Sequence, residues 1–248
     1  MSNAVPQAIL DLLGWRSVKS KFSIDGKVPN VADKDSRPSV EIAAAVFDQL
    51  EVTRSTGAPG QTAGSRFEKA IEQILEERLW QLVPNGKWTT DRRDVTDFAQ
   101  YEHLARIQLI AEANPTLRSS LGTDYLIKPD VTIGIKIGPR RHLHAAVSCK
   151  WTIRSDRVQN IRHEGVVLTR HRRGRQPHFV AVTAEPLPSR LAAIARGTGE
   201  LDCVYHVALQ QLRAACQNNR RALNTLEELI AQDRLRSLGD LPEVIARY

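Results

Sequence analysis

Cysteine is scarce in this chain, with three in 248 residues, and Cys149, Cys203 and Cys216 lie in apolar surroundings. Three are too few for a disulfide framework, and no CxxC or Cys/His spacing of a zinc site occurs. They are expected to be reduced core residues. No apolar run approaches the roughly 20 residues that cross a bilayer, and the first residues lack a basic stretch followed by an apolar core and a cleavage site. A cytoplasmic protein with no membrane role is therefore expected. Repeats, low-complexity tracts and linkers are also missing, so residues 1–248 read as a single domain. Aromatic residues are only 5% of the chain, but apolar residues reach 42%, and the length allows a sizeable core.

The net charge of +7 is unevenly spread. Residues 136–175 hold eleven Lys and Arg against two acids, Asp156 and Glu164, which leaves the remainder slightly acidic. Such a density of positive charge suits a phosphate-backbone footprint with salt-sensitive binding. For Arg170, Arg172, Arg173 and Arg175 a solvated helix face is nearly as good a reading.

The same stretch carries the candidate chemistry. Residues 125–135 are dominated by β-branched and apolar side chains and predict a strand with Asp130 at its start; residues 143–153 predict another, carrying Lys150. Gly138-Pro139 marks the turn between them. A helix should begin at Ser155 as N-cap and run toward Arg173 before Gly174 stops it. At 3.6 residues per turn Arg157, Ile161 and Glu164 share a face, so a carboxylate can return toward Lys150. Phosphodiester hydrolysis needs a divalent cation to neutralise the scissile phosphate and acidify a water, and hard Mg²⁺ takes carboxylate and carbonyl oxygens. Asp130, Glu164 and the main-chain carbonyl of Cys149 are the candidate metal ligands, with Lys150 as the fixed charge that orients water. The common signature is Pro-Asp followed by Asp or Glu, any residue, and Lys. Here Pro129-Asp130 is present, but Ser148 stands where the second acid belongs, and Glu164 is the candidate replacement. Taken alone, the pattern is also compatible with a surface aspartate and a snorkelling lysine.

Base reading has its own candidates. Guanine offers N7 and O6 to a bidentate arginine and cytosine offers its N4 amine to a carboxylate, so Arg154, Asp156 and Arg157 have the content to read adjacent C and G. Their alternative is a helix start with an aspartate on the dipole and two solvated arginines.

Elsewhere the pattern predicts a short helix over 6–13, an irregular stretch over 15–31 with an Asp25-Gly26 turn, and a helix over 38–50 preceded by the polar loop of Asp33. After residues 59–64 comes a core helix with Phe67, Ala70, Ile71, Ile74, Leu75, Leu79 and Leu82 at helical spacing and Glu68 at its boundary. An edge strand over 87–93, a helix over 95–113, a buried strand over 178–183, a helix over 188–195 and a strand over 201–205 follow, with helices in the last forty residues. The fold class is α/β, a mixed central β-sheet flanked by helices.

Several further stretches carry a resemblance: Ser148-Cys-Lys-Trp-Thr-Ile-Arg-Ser-Asp-Arg157, Gln159-Asn160, Glu164-Gly165, Val182-Thr-Ala-Glu-Pro186, Pro188-Ser-Arg190, and Gly197 to His206. To these add Pro59-Gly-Gln-Thr-Ala-Gly64, Phe67-Glu68, Tyr101-x-His103-Leu104 and Leu121-Gly-Thr-Asp-Tyr125. With these the chain resembles the NgoMIV-like type II restriction endonucleases, which read CCGG-containing sites and share the PD-(D/E)xK core. The resemblance implies a second acidic ligand on the helix after the lysine, at Glu164, and a glutamate close to the metals, at Glu68. It also implies core reading by Arg154, Asp156 and Arg157, outer-pair reading by Arg190 and, in a looser alignment, Asp33, and a minor-groove contact by Gln61. Together these imply Mg²⁺-dependent cleavage of double-stranded DNA at a CCGG palindrome, GCCGGC from the retained Arg190, leaving 5′ overhangs; the alternative is a DNA-binding protein of the same fold that does not cut. A palindrome implies a homodimer. The resemblance also extends to tetramers, in one of which a long insertion between the catalytic aspartate and lysine helps to join two dimers; only nineteen residues separate Asp130 from Lys150 here, so a dimer is expected.

Overall fold

The computed structural model describes residues 4–57, 63–114, 127–197 and 199–247. Helix α1 (Gln7–Leu10) is followed by an antiparallel ribbon, β1 (Trp15–Ser17) and β2 (Lys27–Pro29), where the sequence predicts irregular chain. Strands of three residues are too short to show alternation. The predicted turn is present, with Asp25 and Gly26 both at positive φ, 51° and 74°, as a tight hairpin demands. Helix α2 (Arg37–Gln49) carries Pro38 in its first turn and buries Val40, Ala43 and Phe47, the last packed edge-on against Trp15 at 5.8 Å.

Helix α3 (Ala63–Leu82) has the expected stripe, with Phe67, Ile71, Leu75 and Leu79 all fully buried. Leu82 departs from it and is 39% exposed at the helix end. Strand β3 (Trp88–Asp91) is the predicted edge strand. The single helix predicted over 95–113 is instead a 3₁₀ turn, Val95–Asp97, an extended Phe98, and α4 (Glu102–Ala113). Tertiary hydrogen bonds override the helical period there. Val95 N–H donates to the Ile127 carbonyl at 3.2 Å, and the Gln100 amide exchanges bonds of 2.7 and 2.9 Å with the main chain of Leu143.

The remaining elements are β4 (Val131–Ile137), β5 (Arg140–Lys150), α5 (Ser155–Arg170), β6 (His178–Thr183), α6 (Pro188–Ala195), β7 (Cys203–His206), α7 (Leu209–Ala215), α8 (Arg220–Ala231), β8 (Leu235–Ser237) and α9 (Leu241–Arg247). They complete a six-stranded sheet in the order β3-β4-β5-β6-β7-β8, antiparallel from β3 to β5 and parallel from β5 to β8. The mixed sheet flanked by helices is as expected. Several boundaries differ from the sequence reading, and one strand is additional. β4 starts at Val131, just after Asp130; β5 ends at Lys150; α5 stops at Arg170, with Gly174 beyond it at φ 94°; and a short strand, β8, interrupts the C-terminal helices. Near-continuous burial along β5 and β6 matches strands covered on both faces.

Topology gives the sheet two unlike edges. Because β5, β6 and β7 are parallel, their carboxyl ends, Lys150, Thr183 and His206, lie in register along one edge. Antiparallel β4 begins at that same edge, Val131 pairing with Val147. Helix α5 then carries the chain back across the sheet, its sixteen residues spanning about 24 Å. Open α/β sheets place their sites beyond the carboxyl ends of the strands. The expected single basic patch is therefore divided: Lys150, Arg154 and Arg157 lie at the carboxyl edge, whereas Arg140, Arg141 and the run from Arg170 to Arg175 lie at the other.

Candidate active site

Asp130 and Lys150 meet at the mouth of the β4–β5 hairpin. One carboxylate oxygen, Asp130 Oδ2, accepts from the Cys149 backbone N–H at 2.7 Å and from Lys150 Nζ at 2.6 Å. The side chains are only 11% and 16% exposed. Burial disfavours the lysine's charge, but Asp130 and Glu164 outweigh it and raise the lysine's pKa, so Lys150 is held as a cation. The snorkelling-lysine reading does not fit this geometry.

Glu164 enters from α5. Burial, reinforced by Asp130, pushes its carboxyl up to about 7 against the opposing pull of Lys150. The Ser148 hydroxyl lies against it and eases this slightly. Even so, Glu164 Oε2 and Ser148 Oγ are both buried and complete no hydrogen bond among the described residues. Buried polar atoms without partners are rare and call for an explanation. Glu68 arrives from α3, which is fixed against the end of β5 by Phe67 packed edge-on to Trp151 at 5.1 Å. Burial and Asp130 raise its pKa, Arg92 and Lys150 opposing; Arg92 pairs with it at 2.9 Å.

This donor set suits a hard cation. Glu164 and Asp130 supply carboxylate oxygens beside an unsatisfied buried atom, while burial pushes the Cys149 thiol well above its ordinary range, leaving the carbonyl as that residue's usable ligand. Among the described residues no group of three His, Cys, Asp or Glu side chains converges, so main-chain and water oxygens would have to complete the shell.

A second cluster lies beside the first. Arg154 is the N-cap of α5, without a side-chain cap bond, and Ser155 is the first helical residue rather than the cap. Arg154 is exposed, and Arg157 donates to the Thr152 carbonyl at 2.6 Å. Asp156 is in the first turn, but its side chain, like all of Gln61, lies outside the described residues. Arg190, at the start of α6, donates to Asp33 across the chain. Asp33 is thus paired rather than merely solvated, and the Arg190 bond lowers its pKa despite partial burial, with Arg154 and the Asp35 N–H helping.

Sequence reasoning missed three contributors. Arg16 donates to the Ala32 carbonyl at 3.1 Å, and burial and nearby Arg154 lower its pKa. Arg92 holds Glu68. Glu185, wholly buried, lies beside Arg190. Its signal was an acid just past a buried strand, at the edge where parallel sheets place their sites.

The sequence profile described as NgoMIV restriction enzyme matches residues 17–141 and 134–246. The type II restriction enzyme NgoMIV of Neisseria gonorrhoeae is 39% identical over 256 residues, covering 88% of this chain and 89% of that protein. The chain belongs to the NgoMIV restriction enzyme family. That family is one of restriction endonucleases, site-specific deoxyribonucleases. Among solved structures, a PspGI restriction endonuclease–substrate DNA complex is 13% identical with a TM-score of 0.42, covering 84% of this chain and 66% of that one. A pre-specific BsaWI–DNA complex is also 13% identical, with a TM-score of 0.34 and coverages of 70% and 65%. Likenesses at these scores bear on neither activity nor site.

Proposed function

We propose that this protein is a type II restriction endonuclease that uses Mg²⁺ to hydrolyse double-stranded DNA at a palindromic CCGG core, GCCGGC, leaving 5′ overhangs. The observation that carries this reading is the Asp130–Lys150 pair beside Glu164, whose buried carboxylate oxygen has no hydrogen-bond partner among the described residues.

Asp130, Glu164 and the Cys149 carbonyl would hold the metal, which when bound neutralises the scissile phosphate and acidifies a water. Lys150, already fixed by Asp130, orients that water and balances negative charge as phosphorus accepts it and the sugar oxygen leaves. Glu68 adds a carboxylate within the electrostatic reach of Asp130 and Lys150. Ser148 contributes a hydroxyl against Glu164 rather than a ligand charge. Arg154, Asp156 and Arg157 read the core from the major groove, Arg190 with Asp33 reads the outer pair, and Gln61 touches the minor groove.

Each subunit reads one half-site and cuts one strand, so the active form is a two-fold homodimer. The β4–β5 hairpin turns directly at Gly138 and projects no loop that would join two dimers. Incubating plasmids with and without Mg²⁺, then sequencing the cut ends, tests the reading. Discrete fragments ending at GCCGGC support it, and a gel shift without cutting would instead make this a binding protein. Equal rates on one-site and two-site plasmids, with a dimer mass in light scattering, are expected. A tetramer stimulated by a second site would overturn the dimer.

A further inference from the structure

Glu185 has no part in the chemistry above, yet it joins two elements that do. The side chain is 0% exposed, in the turn between β6 and α6. One carboxylate oxygen, Oε2, accepts from the backbone N–H of Ile153 at 2.8 Å; the other, Oε1, accepts from the backbone N–H of Leu187 at 3.1 Å. Ile153 immediately precedes Arg154, and Leu187 is the N-cap of α6, three residues before Arg190. Oε2 also lies 3.8 Å from Arg190 Nη1. The Glu185 backbone is anchored in turn, its N–H donating to Oγ1 of buried Thr183 at 3.2 Å.

A buried carboxylate is costly to desolvate, and burial pushes this one up to about 7 although both amides and Arg190 favour its charged form. An apolar residue would fill the space without that cost. It could not hold two separate backbone amides at a fixed spacing, whereas a carboxylate with two oxygens does.

We propose that Glu185 is a positioning residue that locks the segment leading into Arg154 to the start of α6, so that the core CCGG and the outer base pair are read in one rigid register. This rests on the proposed base-reading roles of Arg154 and Arg190. Glu185 touches no DNA itself. Losing the lock should therefore reduce discrimination at both positions together, where losing one reader reduces it at one.

The test uses the full chain, wild type, Glu185→Gln and Glu185→Asp, with metal-free binding to three duplexes: GCCGGC, one altered only in the outer pair, and one altered in the core. Thermal melting is measured in parallel. Glu185→Gln, which retains one acceptor and loses the charge facing Arg190, should melt near wild type. Its preference for GCCGGC over each altered duplex should fall roughly tenfold, at both positions. Glu185→Asp, charged but too short to span both amides, should recover part of that preference. In the wild type, the Ile153 and Leu187 amides should exchange slowly with solvent even without DNA. Unchanged preference ratios, loss confined to the outer pair, an equal loss of affinity on every duplex, an Asp variant no better than Gln, fast exchange at either amide, or failure of both variants to fold would each overturn the proposal. A wild-type protein that prefers none of these duplexes would instead refute the base-reading function and identify that as the failure.

Discussion

The two edges of the central sheet carry similar numbers of basic side chains and use them differently. At the far edge Arg140 faces Glu102 at 3.6 Å, at the surface where water screens the pair, and half-buried Arg141 reaches half-buried Asp91 at 3.7 Å. At the carboxyl edge Lys150 meets Asp130, and Arg190 meets Asp33 and Glu185, with Asp130 and Glu185 largely or wholly withdrawn from water. The carboxyls pushed up to about 7, Glu164 and Glu185, both belong to that edge. Charge density alone therefore does not mark a site. Charge that burial and unlike partners hold in a fixed place does, because such groups are ordered before a ligand arrives.

The strongest way to break this contrast is to remove the pair at the carboxyl edge. Asp130→Ala and Lys150→Ala should each reduce single-turnover cleavage at least about a thousandfold while leaving specific binding to GCCGGC intact, since the proposed reading residues lie in the neighbouring cluster. Glu164→Ala should follow them and Ser148→Ala should be milder. Turnover near wild type in either of the first two, or Ser148 proving more damaging than Glu164, would mean the hydrolytic centre is elsewhere.

Removing a reader should cost less. Arg154→Ala, Asp156→Ala or Arg157→Ala should each lose about 1–3 kcal/mol of discrimination per base contacted, measured as the affinity ratio between GCCGGC and a core-altered duplex. Arg190→Ala should relax the outer pair alone. A ratio that survives these changes would move base reading off the start of α5.

How much of this edge was legible depended on where each signal was stored. Asp130, Lys150 and Glu164 could be placed because local pattern fixes them: two strand-like runs around a Gly-Pro turn, then a helical face bringing Glu164 back. Glu185 could not, since its meaning lies in amides 32 residues upstream at Ile153, a parallel-strand neighbourhood that only the sheet order creates. The basic run failed for the same reason. Residues 136–175 are contiguous in sequence, but a strand and a helix that each cross the sheet carry them to opposite edges. The ribbon of β1 and β2 and the break before α4 were hidden by short strands and by Gln100, whose bonds to Leu143 no periodicity encodes.

A smaller effect sharpens the contrast in burial. A carboxyl raised from 4.5 to about 7 stabilises the fold fully below pH 4.5 and loses that contribution as pH climbs through 7. Glu185 acts with the same sign. His144 and His206, both lowered by burial to about 4, act oppositely, their contribution being complete above 6.5 and lost as pH falls through 4. Between about pH 4.5 and 6.5 the two pairs oppose each other, and above that range only the carboxyls still act, so the metal-free protein should lose stability as pH climbs through 7. Glu164→Gln should raise metal-free stability at pH 8 by roughly 1–3 kcal/mol and change little at pH 4. Equal denaturation midpoints for the two proteins at pH 8 would show that Glu164 is not strained by burial.

The smallest effect is expected at the far edge. Arg170, Arg173 and Arg175 are exposed, and Arg172 donates to the Thr169 carbonyl near the end of α5. They follow a helix that leads about 24 Å away from the proposed reading residues. Replacing all four by Gln removes four positive charges and no proposed base contact. Affinity at low salt should weaken slightly through the loss of long-range attraction, while the ratio between GCCGGC and a core-altered duplex should stay the same. Each phosphate contact contributes nearly one unit to the slope of log affinity against log salt, so this variant should change the slope by less than one. A drop of three or four units would place phosphates against all four arginines, and DNA would then have to cross both edges of the sheet.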